Sequence, residues 1–221
     1  MFEFSSKTVV NKDFRIKDIL KMIDTDKGMK KALTKESTVI ERIILTNVLS
    51  EKTLNMRCDE YCREIYIFRI ELNDKEIPIE FIKTLDKSIG LHTYFIFQFK
   101  DEVKDLCIYR CTDDGKIIRK GVYESEWHRE EIKTLPYCLS VKEIYSNLIY
   151  ELVPLKPRNN EELNCFLERF KEVQKLRKQV NTLEKKAFRE SQPRKKFDMG
   201  RELREKKELL EALQGDNNGQ A

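Results

Sequence analysis

Glu64-Ile65-Tyr66-Ile67-Phe68-Arg69-Ile70-Glu71-Leu72 is dominated by β-branched and aromatic side chains, and it alternates. Tyr66, Phe68, Ile70 and Leu72 make one wholly apolar face, and Ile65 and Ile67 make most of the other. A run that is apolar on both faces reads as a central strand, since only a strand covered on both sides buries both sets. Asn73-Asp74 breaks it. Pro78 suits the first turn of a helix carrying Phe81, Ile82, Leu85 and Ile89 on one side, and Gly90 stops that helix. Thr93-Tyr94-Phe95-Ile96-Phe97-Gln98-Phe99 then supplies a second strand. Strand, helix and strand over residues 64–99 predict a β-α-β crossover with two parallel strands.

Toward the C-terminus the chain is expected to meander. Lys100-Asp101-Glu102 turns into a strand through Asp105–Arg110, and Asp114-Gly115 gives a tight hairpin into Lys116-Ile117-Ile118. Ser140-Val141-Lys142-Glu143 has the spacing of a capping box, opening a helix that buries Ile144, Tyr145, Leu148, Ile149 and Leu152. Toward the N-terminus, a helix capped by Asn11 or Asp13 is expected, with Ile16, Ile19, Leu20 and Ile23 on one face. After the break at Asp24–Gly28, a short helix through Met29 and Leu33 precedes a strand at Val39–Leu45. These elements predict an α+β fold, a mixed β-sheet with flanking helices, over residues 1–155.

Pro154, Pro157 and Arg158-Asn159-Asn160 mark a boundary, and residues 156–221 read as a basic helical arm with a polar tail. Phe166, Phe170, Val173, Leu176, Val180, Leu183 and Ala187 recur in steps of three or four, a coiled-coil seam that wants a partner. Pro193 should break the rod, so that Phe197, Leu203, Leu209, Leu210 and Leu213 fold back on the first helix as a helical hairpin. Between Arg169 and Lys207 there are 15 Lys/Arg against 6 Asp/Glu, an excess larger than the +4 of the whole chain. The remainder is therefore net acidic. Lys185, Lys186, Arg189, Arg194, Lys195, Lys196 and Arg201 are the candidate phosphate contacts. The alternative is that they form only the wet face of a coiled coil.

Composition bounds the rest. A chain of 221 residues, 40% hydrophobic and 37% charged, suits one sizeable core with an appended exposed helical part. No apolar run approaches the roughly 20 residues that span a bilayer, and Met1–Ser5 lacks the basic start and apolar core of a signal peptide, so a cytoplasmic protein is expected. The six cysteines read as buried thiols of a reducing compartment: Cys58/Cys62 and Cys107/Cys111 are spaced by four rather than three, and neither His92 nor His128 adjoins a pair. No metal or cofactor is expected.

One catalytic template has literal matches. Metal-dependent restriction-type nucleases hold Mg²⁺ with an acid on one strand and an acid-x-Lys on the next. Glu102-Val103-Lys104 and Asp114-Gly115-Lys116 fit the letters, but both fall in expected turns, too mobile and wet to fix a metal. Glu64 and Glu71 are better placed, and no lysine follows at the needed spacing. Phosphate-loop, dinucleotide and Gly-x-Ser-x-Gly residues are missing, and His92 and Trp127-His128 read as structural.

Taken in order, several stretches resemble a bacterial family, the domain of unknown function DUF 4391. They are Val9–Lys12, Leu49 with Thr53-Leu54-Asn55, Glu64–Leu72, Leu85–Ile89 leading into Thr93–Phe97, Glu124–Trp127, Leu139–Tyr145, Glu190-Ser191-Gln192 and Lys195-Lys196-Phe197. The resemblance implies context rather than chemistry. Similar proteins are encoded beside superfamily 2 helicases and DNA methyltransferases of restriction-like or other phage-defence systems, and no catalytic residue carries over. The expectation is a non-enzymatic accessory subunit of such a DNA-processing complex, with a helicase or methyltransferase as partner and DNA at the basic arm. A divergent Mg²⁺-dependent nuclease and a self-associating scaffold are the alternatives.

Overall fold

β3 (Glu64–Leu72) and β4 (His92–Phe99) run parallel, with Phe68 opposite Phe95 and Ile70 opposite Phe97. The computed structural model describes residues 2–113 and 116–215. The connection between the two strands is α4 (Ile79–Ile89), entered at Pro78 and closed by Gly90. At φ 73° Gly90 takes the left-handed conformation that ends a helix without a side-chain clash, and its N–H reaches Asp86 O at 3.1 Å. The β-α-β reading therefore stands.

Antiparallel strands extend this pair on both sides. β2 (Ile40–Ser50) pairs β3, and β1 (Val9–Phe14) pairs β2. β5 (Glu102–Asp113) pairs β4, and β6 (Lys116–Glu124) pairs β5. The short β7 (His128–Arg129) takes the first residues of β5, giving a seven-stranded sheet of order β1-β2-β3-β4-β5-β6 with β7 off that path. Against one face pack α1 (Ile16–Met22), α2 (Lys27–Glu36) and α4, burying Ile19, Ile23, Leu33, Phe81 and Ile82 on Phe68, Ile70, Phe95 and Phe97. Facing the other side, α5 (Val141–Tyr150) buries Ile144, Tyr145, Leu148 and Ile149. Both faces of β3 and β4 are covered, which is why both are apolar.

Caps mostly fall where the side chains ask for them. Asp26 accepts from Met29 N at 2.9 Å, and Ser140 accepts from Glu143 N at 3.2 Å. Glu143 reaches back one residue further than a capping box requires, to Leu139 N at 2.8 Å. A complete box lies instead at Ser50 and Thr53, which open the single-turn α3 (Glu51–Leu54).

Two expectations are corrected. The segment from Asn11 is the edge strand β1, not a helix start: Asn11 has φ 49° at an irregularity in the β1–β2 register, and Asp13 forks onto Arg42 at 2.6 and 2.8 Å instead of capping. An almost wholly exposed edge strand has no burial to impose alternation, so its sequence carried no strand signal. Glu102-Val103-Lys104 lies inside β5 rather than in a turn, because the reversal is tighter than expected, with Lys100 at φ 53°. The expected Asp114-Gly115 turn lies outside the described residues.

The chain forms two compact units, Met1–Leu152 and Val153–Ala221. The first holds the sheet. The second holds α6 (Leu163–Arg189) and α7 (Pro193–Gln214), which pack on each other as a hairpin.

Candidate nucleic-acid interface

The second unit is built on the seam. Phe166, Phe170, Val173 and Val180 of α6 are buried, and Leu176, Leu183 and Ala187 are half-buried. On α7, Met199, Leu203, Lys206, Leu210 and Leu213 are the half-buried stripe, again in steps of three and four. Lys206 stands in a seam position and is accommodated by Gln179 Oε1 at 3.1 Å. The partner that the α6 seam demands is thus α7 of the same chain. Phe197 and Leu209, expected on that seam, are instead exposed, because neither falls on the three-four spacing set by Met199 and Leu203.

Pro193 occupies the first turn of α7 after the break at Glu190–Gln192. Its missing N–H costs nothing there, so proline starts the second helix rather than kinking one long one. At the far end of the hairpin, two arginines hold the last carbonyls of α7: Arg158 Nη2 donates to Ala212 O and Arg169 Nη1 to Leu213 O, both at 2.8 Å. Cations at that pole complement the helix dipole.

All seven candidate cations are exposed, and the hairpin brings them to its turn end. Lys185, Lys186 and Arg189 lie in the final turns of α6; Arg194, Lys195 and Lys196 lie in the opening turn of α7, with Arg201 further along. Further along α7 two lysines are paired, Lys207 with Glu184 at 2.7 Å and Lys206 with Glu202 at 3.6 Å. Among the described residues, none of the seven has a carboxylate within ion-pair distance. The opening turn of α7 contains no acid and has no side-chain cap, so three cations sit at the positive pole of a helix. That placement is unfavourable by a few tenths of a kcal/mol or more per charge. Two phenylalanines share the tip, Phe188 and Phe197, 87% and 73% exposed.

In the sheet unit, the letters of Glu102-Val103-Lys104 are already matched, and Asp114-Gly115-Lys116 includes residues outside the described ones. Glu102 is engaged by Lys75, and Lys104 by Glu124 at 3.1 Å. Glu64 accepts from Tyr66 Oη at 2.6 Å, while Glu71 faces Arg42 at 3.9 Å. Both charges of Glu102-Val103-Lys104 therefore sit in a strand with opposite charges beside them. Among the described residues no group of three or more His, Cys, Asp or Glu side chains is gathered as a metal would require.

His92 is buried edge-on against Tyr145, with ring centroids 4.5 Å apart. Burial, helped by the charge of Arg110, pushes its pKa down to about 4, so it is a neutral packing group. Asp86, fully buried on α4, accepts from Thr93 Oγ1 at 2.6 Å and Arg110 Nη2 at 2.7 Å, tying α4 to β4 and β5. The register of β5 and β6 shifts between Tyr109 and Arg110, and the Arg110 N–H finds Tyr145 Oη at 3.0 Å. Apart from Arg110 Nε, which is buried without a hydrogen-bond partner, these polar groups are matched by one another, as a structural network is.

One titratable pair was not legible in the sequence. His128 Nε2 lies 3.4 Å from Asp105 Oδ2, and His128 Nδ1 lies 2.8 Å from Arg129 O. Burial raises the Asp105 pKa, with His128 opposing the shift. Only the antiparallel pairing of β5 with β7, two strands 23 residues apart at Asp105 and His128, brings the two together.

Fold and tip together define an α+β protein with an open mixed sheet and a basic antiparallel helical hairpin. The family described as Domain of unknown function (DUF4391) matches residues 2–210, and the chain belongs to that family. The match runs through the sheet and most of the hairpin, including all seven cations. Comparison with curated proteins gives no match, and neither does comparison with solved structures.

Proposed function

We propose that this protein is a non-enzymatic accessory subunit of a bacterial DNA-processing complex of the restriction-like, phage-defence kind, and that it holds nucleic acid at the tip of its C-terminal hairpin. The partner in this reading is a superfamily 2 helicase or a DNA methyltransferase, and the place of work is the cytoplasm. The observation that carries the reading is the gathering of seven exposed cations at the turn end of the hairpin. Lys206 and Lys207 further along α7 each have a carboxylate partner, and among the described residues none of the seven at the turn end has one. A merely solvated helical face interleaves its charges throughout. A cluster that gathers like charges, and sets three of them against a helix dipole, stores repulsion that an anionic ligand relieves.

The scaffold alternative loses its main support, since the seam that would drive self-association is occupied by α7. Of the nuclease alternative, Glu102 and Lys104 are each engaged by an oppositely charged neighbour. The test is fluorescence anisotropy with labelled DNA at rising salt, on the full chain and on Arg194→Glu/Lys195→Glu/Lys196→Glu. Binding that weakens with salt and disappears in the triple variant, with an unchanged circular dichroism spectrum, supports the reading. Absence of binding at low salt overturns it.

A further inference from the structure

The seven cations say that the tip takes a polyanion, and the two rings beside them say which kind. Phe188 is the penultimate residue of α6 and Phe197 lies in the second turn of α7, so the rings flank the same short break at Glu190–Gln192. Both are among the most exposed large apolar side chains of the protein, at 87% and 73%. Neither is needed by the seam: Ala187 and Leu183 face α7 in place of Phe188, and Met199 and Leu203 face α6 in place of Phe197. Among the described residues neither ring packs on another ring or under a cation. Two phenylalanines left bare on a charged tip withhold apolar area that folding would otherwise bury.

A duplex gives such rings nothing to do. Its bases are stacked inside, and a basic helix tip meets only phosphate and groove edges. A single strand offers a bare base face beside every phosphate, so one short segment satisfies rings and cations together. Stacking is also indifferent to base identity, which suits a tip carrying Phe, Lys and Arg but no Asn or Gln at the break other than Gln192. A strand is flexible enough to follow the turn and meet both rings, whereas a duplex is stiff over this length.

We infer that the hairpin tip is a single-strand binding site, in which Phe188 and Phe197 stack on bases while Lys185, Arg189, Arg194, Lys195 and Lys196 neutralise the flanking phosphates. This rests on the reading of the tip as a nucleic-acid contact and names the form of nucleic acid it prefers.

The test compares three labelled probes on the full chain at one salt concentration: a single strand of about 16 nucleotides, its duplex, and a strand of the same length made of abasic sugar-phosphate. The single strand is expected to bind at least about 10-fold more tightly than either other probe, as each stacked base contributes roughly 5- to 100-fold. Phe188→Ala/Phe197→Ala should erase that advantage while leaving duplex and abasic binding unchanged. Phe197→Trp should keep the affinity, and its added emission should be quenched by the single strand. Equal binding of single strand and abasic strand, or a double variant that still prefers the single strand, overturns the inference and leaves the charge reading intact. No binding of any probe overturns both.

Discussion

Arg169 Nη1 donates to the main-chain carbonyl of Leu213 at 2.8 Å, so a side chain near the start of α6 fastens the end of α7. The same guanidinium meets Glu161 through two parallel bonds, Nε to Oε1 at 2.8 Å and Nη2 to Oε2 at 2.6 Å, and gives a further bond to Lys156 O at 2.8 Å. The arginine is buried, and those bonds hold the Glu161 pKa below its ordinary value. The closed hairpin is thus locked at its base, leaving its turn free to carry charge.

Replacing Arg169 by Met should release that lock. Breaking a buried ion pair by removing one partner costs about 3–5 kcal/mol, here mostly from leaving the Glu161 carboxylate without its fork. Limited trypsin digestion should then cut between Lys171 and Lys207 faster than in the parent protein. Unchanged cutting and an unchanged urea midpoint would show the lock to be ornamental.

Charge reversal at Arg194, Lys195 and Lys196 should flatten the salt dependence of DNA binding before it abolishes binding. Every phosphate that is no longer neutralised takes about 0.7–0.9 off the slope of log K against log salt. Single Glu substitutions should therefore each lower the slope by a similar amount, with a thermal midpoint that does not fall and rises slightly as an acid replaces a cation at the positive pole of the helix. A slope that does not respond would assign these cations to solvent.

Asp86→Asn should destabilise the sheet unit by about 3–5 kcal/mol, since it leaves the buried Arg110 guanidinium facing a neutral amide. Arg110→Met in the same chain should recover part of that stability. A double variant as unstable as the sum of the two single ones would mean that the pair is not coupled.

Between pH 6.5 and about 4 the protein should lose stability as acid is added, in part through His92. The unfolded chain protonates this imidazole near its ordinary pKa, whereas the folded chain resists until about 4, so protons favour unfolding across that window. The contribution is on the order of 3 kcal/mol. His92→Phe should keep the edge-on packing with Tyr145 and flatten that part of the curve; urea titrations at several pH values measure it.

Thiol counting should find one fast cysteine. Cys165 is exposed, whereas Cys62, Cys107, Cys111 and Cys138 are buried. Burial pushes the Cys62 and Cys107 pKa values up to about 12. Cys58 is only half-buried, but its hydrogen bond to Glu51 raises its pKa and should slow it. Cys165→Ser should remove the fast phase seen with a chromogenic disulfide, and the buried thiols should appear only on unfolding.

The residues that declare themselves in the sequence are those whose structure is local. Alternation in Glu64–Leu72, the helix periodicity of Phe81–Ile89 and the stop at Gly90 are set by strand and helix geometry, so the β-α-β unit and the seam of α6 can be read directly. Pro193 announces the break because a proline cannot donate within a helix interior. Net charge at the tip is likewise a count, available before any folding.

What the sequence leaves open depends on pairing between distant segments. β1 is an exposed edge strand, recognisable only once Lys12, Asp13 and Phe14 are seen opposite Leu45, Ile44 and Ile43. Glu102-Val103-Lys104 changes from turn to strand because β4 supplies its hydrogen bonds. Asp105 meets His128 only through the sheet register. On the arm, a list of fifteen cations cannot say where they meet; α7 had to fold back on α6 to pair Lys207 with Glu184 and bring the cations of both helices to the turn end. Composition and periodicity by themselves determined the β-α-β unit, the seam of α6 and the charge of the arm. Tertiary packing decided which charges and which rings remain for a ligand, because pairing acts over a few ångströms in space and not over any fixed distance along the chain.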